Sequence, residues 1–186
     1  MAAVAGSVSD AVLAAMLKAA PISRGYVNNG GDISVYMEKN QSFIAEMHDH
    51  SGRNLGRITL CYGEDIGGIA TSGRHGRSHS LGIADSVTVL ARTASEADVA
   101  ATLLANSVDL PGHQGITRTP ASTLDPDSDL GDMPVVTACT ALAPRDIEKA
   151  LNAGETRAKA LQANGTIKAA ALFLGGEMRL LGKGFA

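Results

Sequence analysis

Between residues 25 and 92 the chain repeats one short pattern: "GYVNN", "DISVYME", "SFIAEMH", "GRITLCY", "IGGIATS" and "SVTVLAR" are β-type runs, each bounded by Gly, Asn, Asp or Ser. "HDHSGRN" between two of them is suited to a hairpin connection. This half is expected to form a mostly antiparallel sheet. Before it, Val8, Val12, Leu13, Met16 and Leu17 recur at helical spacing until Pro21, which predicts a helix over residues 3–19. After it, "SEADVAATLLANSV" turns helical, with Ser95 placed as N-cap and acidic residues in the first turn. Asp109 to Pro134 carries four Pro and five Asp with almost no periodicity, and reads as a long surface excursion. "VVTACTAL" reads as a strand. "APRDIEKALNAGETRAKALQANG" is a helix with Pro144 in its first turn, and "TIKAAALFLGG" with "EMRLLG" is a closing hairpin. The fold class expected is α+β, a mostly antiparallel sheet with packed helices in a single domain over residues 1–186.

The core of such a sheet must be built from small and aliphatic side chains, since aromatics are 3% of the chain and Trp is absent. Small residues let backbones approach closely. The net charge of -3 and the lack of a basic run exclude a nucleic-acid surface, and a single-stranded binder would also need stacking aromatics. No apolar run approaches the roughly 20 residues that span a bilayer, and the first segment lacks the basic start of a signal peptide. A cytoplasmic protein without a membrane partner is expected. Cys61 and Cys139 belong to no metal or redox spacing and read as small buried hydrophobes.

Four segments carry chemistry. "NNGGDI" offers the amides of Asn28 and Asn29, the glycines Gly30 and Gly31 and the carboxylate of Asp32; it is equally suited to a hairpin turn. Asp98 and Thr102 stand one helical turn apart on one face, where carboxylate and hydroxyl could hold Mg²⁺, or simply face solvent. "LDPDSDLGD" imitates a calcium loop, but Leu130 stands where Gly is needed and Val136 where Glu is, so it reads as a turn-rich acidic loop. His48 and His50 lack a third ligand and read as an exposed hairpin end. "ATSGRHGRSHS", residues 70–80, admits several functions. Ser72, Ser78 and Ser80 beside His75 and His79 suggest acyl transfer, though without a nucleophile elbow or an orienting acid. Arg74, Arg77, the hydroxyls and the glycine amides suit an anion such as pyrophosphate better, and a plain turn is the third option.

The order "VNNGGDI", "GIATSG", a His, "SVTVLA" and an Asp-x-x-x-Thr helix resembles the C-terminal two-thirds of the ApbE family of flavin transferases, and within it the short cytoplasmic relatives of uncharacterised function. The likeness covers about residues 2–110. It implies an α+β fold with FAD beside a sheet, Mg²⁺, cleavage of the pyrophosphate and passage of FMN to a Thr of a partner protein. On this resemblance Asp98 and Thr102 match the metal ligands. Asn29, Gly30, Gly31 and Asp32 match the glycine-rich nucleotide segment, Thr71, Ser72 and Gly73 the following loop, and His79 the loop histidine. Gly6 and Asp10 fit the family's first helix, where Ala5 stands in place of Lys. The family's His-Ile-Ile-Asp-Pro loop is replaced by "SLGIADSVTV", with Asp85 a candidate for its acid, and the N-terminal segment of full-length members is expected to be lacking.

The reading that follows is a Mg²⁺-dependent binder of FAD, another nucleotide or a phosphorylated small molecule. Arg74 and Arg77 steady phosphate oxygens and His75 or His79 moves a proton. FMN transfer is the chemistry implied. A non-catalytic binding or assembly protein and a Ser/His hydrolase are the alternatives, and edge strands suit a homodimer.

Overall fold

The computed structural model describes residues 3–186. Six strands form one antiparallel sheet in the order β1-β2-β5-β6-β9-β10: β1 (Arg24–Asn29), β2 (Asp32–Met37), β5 (Gly68–Ser72), β6 (Ser86–Ala91), β9 (Ala169–Leu174) and β10 (Glu177–Leu181). Helices α1 (Val4–Ala19), α2 (Ala94–Ser107) and α4 (Pro144–Ala163) pack on one face. The other face is covered by the hairpin of β3 (Ser42–His48) and β4 (Asn54–Cys61). The α+β class and the antiparallel sheet are as the sequence predicts.

The two-residue period of a strand distributes the core between these faces. On β6, Val87, Val89 and Ala91 meet the helices while Leu90 points to the hairpin; on β9, Ala170, Leu172 and Leu174 alternate with Ala169, Ala171 and Phe173 in the same way. Both strands are buried throughout. Small residues do bring backbones together. A Cβ on Gly6 of α1 would lie 2.4 Å from the Ala94 carbonyl oxygen, and one on Gly68 of β5 would lie 2.2 Å from the Thr93 carbonyl carbon. The sheet, α1 and the start of α2 are therefore held at a separation that only glycine allows.

Three expectations need correction. The N-cap of α2 is Thr93, whose hydroxyl accepts the Glu96 N–H at 3.1 Å from an extended backbone; Ser95 lies inside the first turn. Thr93→Ala is expected to cost about 1 kcal/mol and lower the melting temperature by about 2–4 °C, read by thermal denaturation. The Asp109–Pro134 excursion holds a strand and a helical turn, β7 (Ile116–Pro120) and α3 (Ala121–Leu124). β7 pairs with β8 (Pro134–Cys139). Cys61, the last residue of β4, is exposed, and Cys139, the last residue of β8, is only half-buried against the core; both thiols are free. His48 and His50 are exposed at the end of the β3–β4 hairpin, as expected.

Candidate functional site

Helices α1 and α2 cap each other. Asp10, on the second turn of α1, accepts the Ala94 N–H at 3.0 Å through Oδ1 and the Ser95 N–H at 3.0 Å through Oδ2, while the Ser34 hydroxyl donates to Oδ1 at 2.8 Å. Burial works against the charge on Asp10, but the bonds from Ser95, Ser34 and Ala94 outweigh it and hold the carboxyl below its ordinary value. In return Asp98, on α2, accepts the Gly6 N–H at 3.0 Å, in the first turn of α1. Each carboxylate thus satisfies a helix terminus whose N–H groups have no partner in their own helix, with the macrodipole favouring negative charge there.

The β1–β2 turn closes on the same terminus. Gly30 and Gly31 take φ of 71° and 109°, values that favour glycine, and the Asn28 side chain accepts the Gly31 N–H at 2.8 Å. The hairpin-turn reading of "NNGGDI" therefore holds, and the turn is also anchored to α1. Asn29 donates to the Ala5 carbonyl at 3.3 Å and the buried Ser9 hydroxyl donates to the Asp32 carbonyl at 2.7 Å. The Arg77 guanidinium lies directly over Gly30, where a Cβ would be 1.8 Å from its Nη2. Around this point stand Asp32 and Asp98. Desolvation and then the Asp98 charge push the Asp32 carboxyl up to about 7, with Arg77 pulling it back. Thr102 follows Asp98 one turn along α2, and both are half-buried.

Asn29, Gly30, Asp32, Arg77 and Asp98 are thus brought together from four elements at the α1 N-terminus. Thr71, Ser72 and Gly73 lie at the same end of the sheet as the β1–β2 turn, since β5 runs antiparallel to β2. Thr71 shares a hydrogen bond of 3.0 Å with Thr88 on β6. Arg74 and Arg77 leave the 73–85 loop in different directions. Arg74 is fixed by Asp85, whose Oδ1 accepts from Nε at 2.9 Å and Nη2 at 2.7 Å and whose Oδ2 accepts the Gly175 N–H at 2.7 Å. Asp85 therefore ties the loop to the β9–β10 turn. His79 is exposed, and the Ser80 hydroxyl is turned to the Gly82 carbonyl and Asn106 instead of to a histidine.

Arg74, His75, Asp85 and Cys139 line a second cleft, of about 890 Å³, floored by Leu55 and Phe173. Across it His50, from the β3–β4 connection, stacks on His75 with centroids 3.9 Å apart and planes at 19°. Burial, then Arg74 and His50, lower the His75 imidazole despite the opposing Asp85. Burial raises the Cys139 thiol, which leaves it protonated and a poor nucleophile. Sequence reasoning missed the His50–His75 contact, the Asp85 tie and both caps. The only signal for the caps was the Gly6 and Asp10 match to the ApbE first helix.

The Asp32–Asp98 pair fits a magnesium ion on its own chemistry. Two half-buried carboxylates act on one another with one guanidinium to offset them, and a hard cation between them removes the conflict. Among the described residues no group of three or more His, Cys, Asp or Glu side chains converges on a metal position.

A six-stranded antiparallel sheet with a carboxylate–arginine cluster at a helix N-terminus defines an α+β protein. The chain belongs to the family described as "AbpE bacteria", whose model matches residues 1–180. It is similar to the UPF0280 protein of Methanopyrus kandleri, 39% identical over 110 residues, which are 57% of this chain and 42% of that one. It is also similar to the UPF0280 proteins of Methanococcoides burtonii, 37% over 117 residues (62% and 48%), and of Methanosarcina barkeri, 34% over 110 residues (59% and 43%). The matched stretch spans less than half the length of each of these relatives. No described helix is long and apolar enough to cross a membrane.

Proposed function

We propose that this protein binds a diphosphate-bearing nucleotide, FAD or a close relative, together with Mg²⁺, at the α1 N-terminus. The observation that carries this reading is the juxtaposition of Asp32 with the Asp98 carboxylate and with the Arg77 guanidinium beside the α1 N-terminus. Asp98 and Thr102, with Asp32, would hold the cation. Arg77, which the missing side chain of Gly30 lets settle over the β1–β2 turn, would pair with phosphate oxygens. When bound, Mg²⁺ neutralises the diphosphate and acts as a Lewis acid. Asp32, with a carboxyl at about 7, would carry the proton that the cation must displace. This reading gives the proton-handling role to Asp32 and leaves His79 and Arg74 outside the cluster. FMN transfer to a Thr of a partner protein is the reaction that the ApbE resemblance attaches to such a site.

Thermal denaturation with FAD, FMN and ATP, each with and without Mg²⁺, tests it. Ligand at about 100 times its Kd should add about 2.7 kcal/mol, a rise of about 5–10 °C, and only when nucleotide and metal are present together. No shift with any nucleotide, with or without metal, overturns the reading.

The raised Asp32 carboxyl gives this site a pH dependence with a defined sign. Without metal the folded state holds a proton that the unfolded chain releases near 3.8, so the Asp32 contribution falls as pH rises from about 4 to 7. A cation reverses the trend, because it favours the ionised form. The Mg²⁺-induced stabilisation is therefore expected to be larger at pH 8 than at pH 6, and Asp32→Asn should remove the difference. Melting curves at the two pH values check it; equal Mg²⁺ shifts in the parent protein would refute it.

A further inference from the structure

We infer that the outer face of α1 is a docking surface for a second copy of this chain, forming a two-fold dimer in which the two α1 helices pack antiparallel. This inference is independent of the ligand proposed above. Val4, Val8, Val12 and Met16 recur every fourth residue along α1 and are each 40–54% exposed. They form one stripe on a helix about 24 Å long. Gly6, Ser9 and Leu13 are the residues this helix buries in its own chain, so the apolar stripe points away from the core. Two further apolar side chains, Val99 and Leu103, are exposed on the neighbouring α2. A helix that is apolar on its outer as well as its inner face belongs in an interior.

Charge and shape select the occupant. Among residues 4–17 the one charged side chain is Asp10, and its carboxylate is turned to the start of α2. Two copies can therefore meet on this face without burying an ion or opposing like charges. Between the large residues lie Ala11 and Ala15, both exposed, small enough for two helix backbones to come close. At its C-terminal end the stripe runs into a groove of about 580 Å³ lined by Met16, Gly25, Tyr26, Phe43 and Ile44 together with Ser42 and Arg24, whose guanidinium lies 5.8 Å from the Phe43 ring centroid. At its N-terminal end Val4 projects. An antiparallel pair brings the Val4 of each copy to the groove of the other, the self-complementarity that a two-fold interface requires. A lipid surface is the poorer fit. Helices that lie in a bilayer interface flank the apolar face with Lys and Arg, and none occurs here before Lys18.

Sedimentation equilibrium of the whole chain from about 5 to 200 µM tests the proposal, with circular dichroism and melting curves as controls of folding. The parent protein is expected to be a dimer. Val12→Glu is expected to raise the dimer dissociation constant at least about 30-fold while leaving the fold intact, since the position is exposed. Should that variant fail to fold, Val8→Ser carries the same expectation in milder form. A parent protein monomeric over the whole range overturns the proposal, whether or not it then floats with phosphatidylcholine–phosphatidylglycerol vesicles. A dimer as tight in the folded Val12→Glu or Val8→Ser variants as in the parent also overturns it.

Discussion

Asp98→Asn is expected to weaken Mg²⁺-dependent nucleotide binding by about 2–3 kcal/mol, roughly 30- to 150-fold in Kd. Asn is the informative replacement because Asp98 has two duties. Its Oδ2 accepts the Gly6 N–H, and its charge acts on Asp32 and would act on a cation bound beside them. An amide keeps an oxygen for Gly6 and so preserves the α1 terminus, but it supplies no negative charge. Asp98→Ala removes both and is expected to lose about 1 kcal/mol of stability as well. The two variants together therefore separate ligand binding from capping. Titration calorimetry for affinity and thermal denaturation for stability check the pair. Full Mg²⁺-dependent affinity in Asp98→Asn would leave the residue with only its helix-capping role.

The largest loss of stability is expected from Asp10→Ala. The substitution deprives the Ala94 and Ser95 N–H groups of their acceptor and leaves the Ser34 hydroxyl without one, all in a region that excludes much of the solvent. Unsatisfied donors of this kind cost about 1–3 kcal/mol each when buried, and the site is partly buried, so about 2–4 kcal/mol is the expected total. That is a drop of about 5–15 °C for a chain of this size. Asp10→Asn should recover part of it, as one carbonyl oxygen remains. The carboxyl lies below its ordinary value of 3.8, so its contribution is present above that pH and is lost as pH falls through the lowered folded value. The stability difference between parent and Asp10→Ala should thus narrow only in acid, below about pH 4. A difference that is constant from pH 7 to pH 3 would show that the bonds to Ala94 and Ser95 do not depend on the charge.

What was legible in the sequence is what is local. The β-type runs, the helices at both ends and the closing hairpin follow from periodicity and turn residues, and they lie where the structure has them. The i, i+4 spacing of Asp98 and Thr102 also placed them on one helix face. What was not legible is what joins distant segments. Asp98 bonds Gly6 across 92 residues and Asp10 bonds Ala94 across 84, and no spacing rule connects such partners. The division of the 73–85 loop was equally hidden. Arg74 and Arg77 look equivalent in "GRHGR", yet one is claimed by Asp85 and the other by the space over Gly30. β7 escaped notice although Ile116, Thr117 and Thr119 are β-branched, because it is only five residues long and lies among Pro, Gly and Asp. Cys61 and Cys139 show the converse error. Their general habit of burial gave way to position, both lying at strand ends.

The α1 terminus, Asp32, Arg77 and Asp98 are proposed to form a site for a diphosphate and a divalent cation together. Titration calorimetry of FAD into the whole chain at pH 8, in Mg²⁺ and again in EDTA, tests this most directly. The expected result is one saturable site in Mg²⁺ that weakens at least about tenfold in EDTA, equal to about 1.4 kcal/mol. Absence of binding, or an affinity that is the same in Mg²⁺ and EDTA, would contradict it.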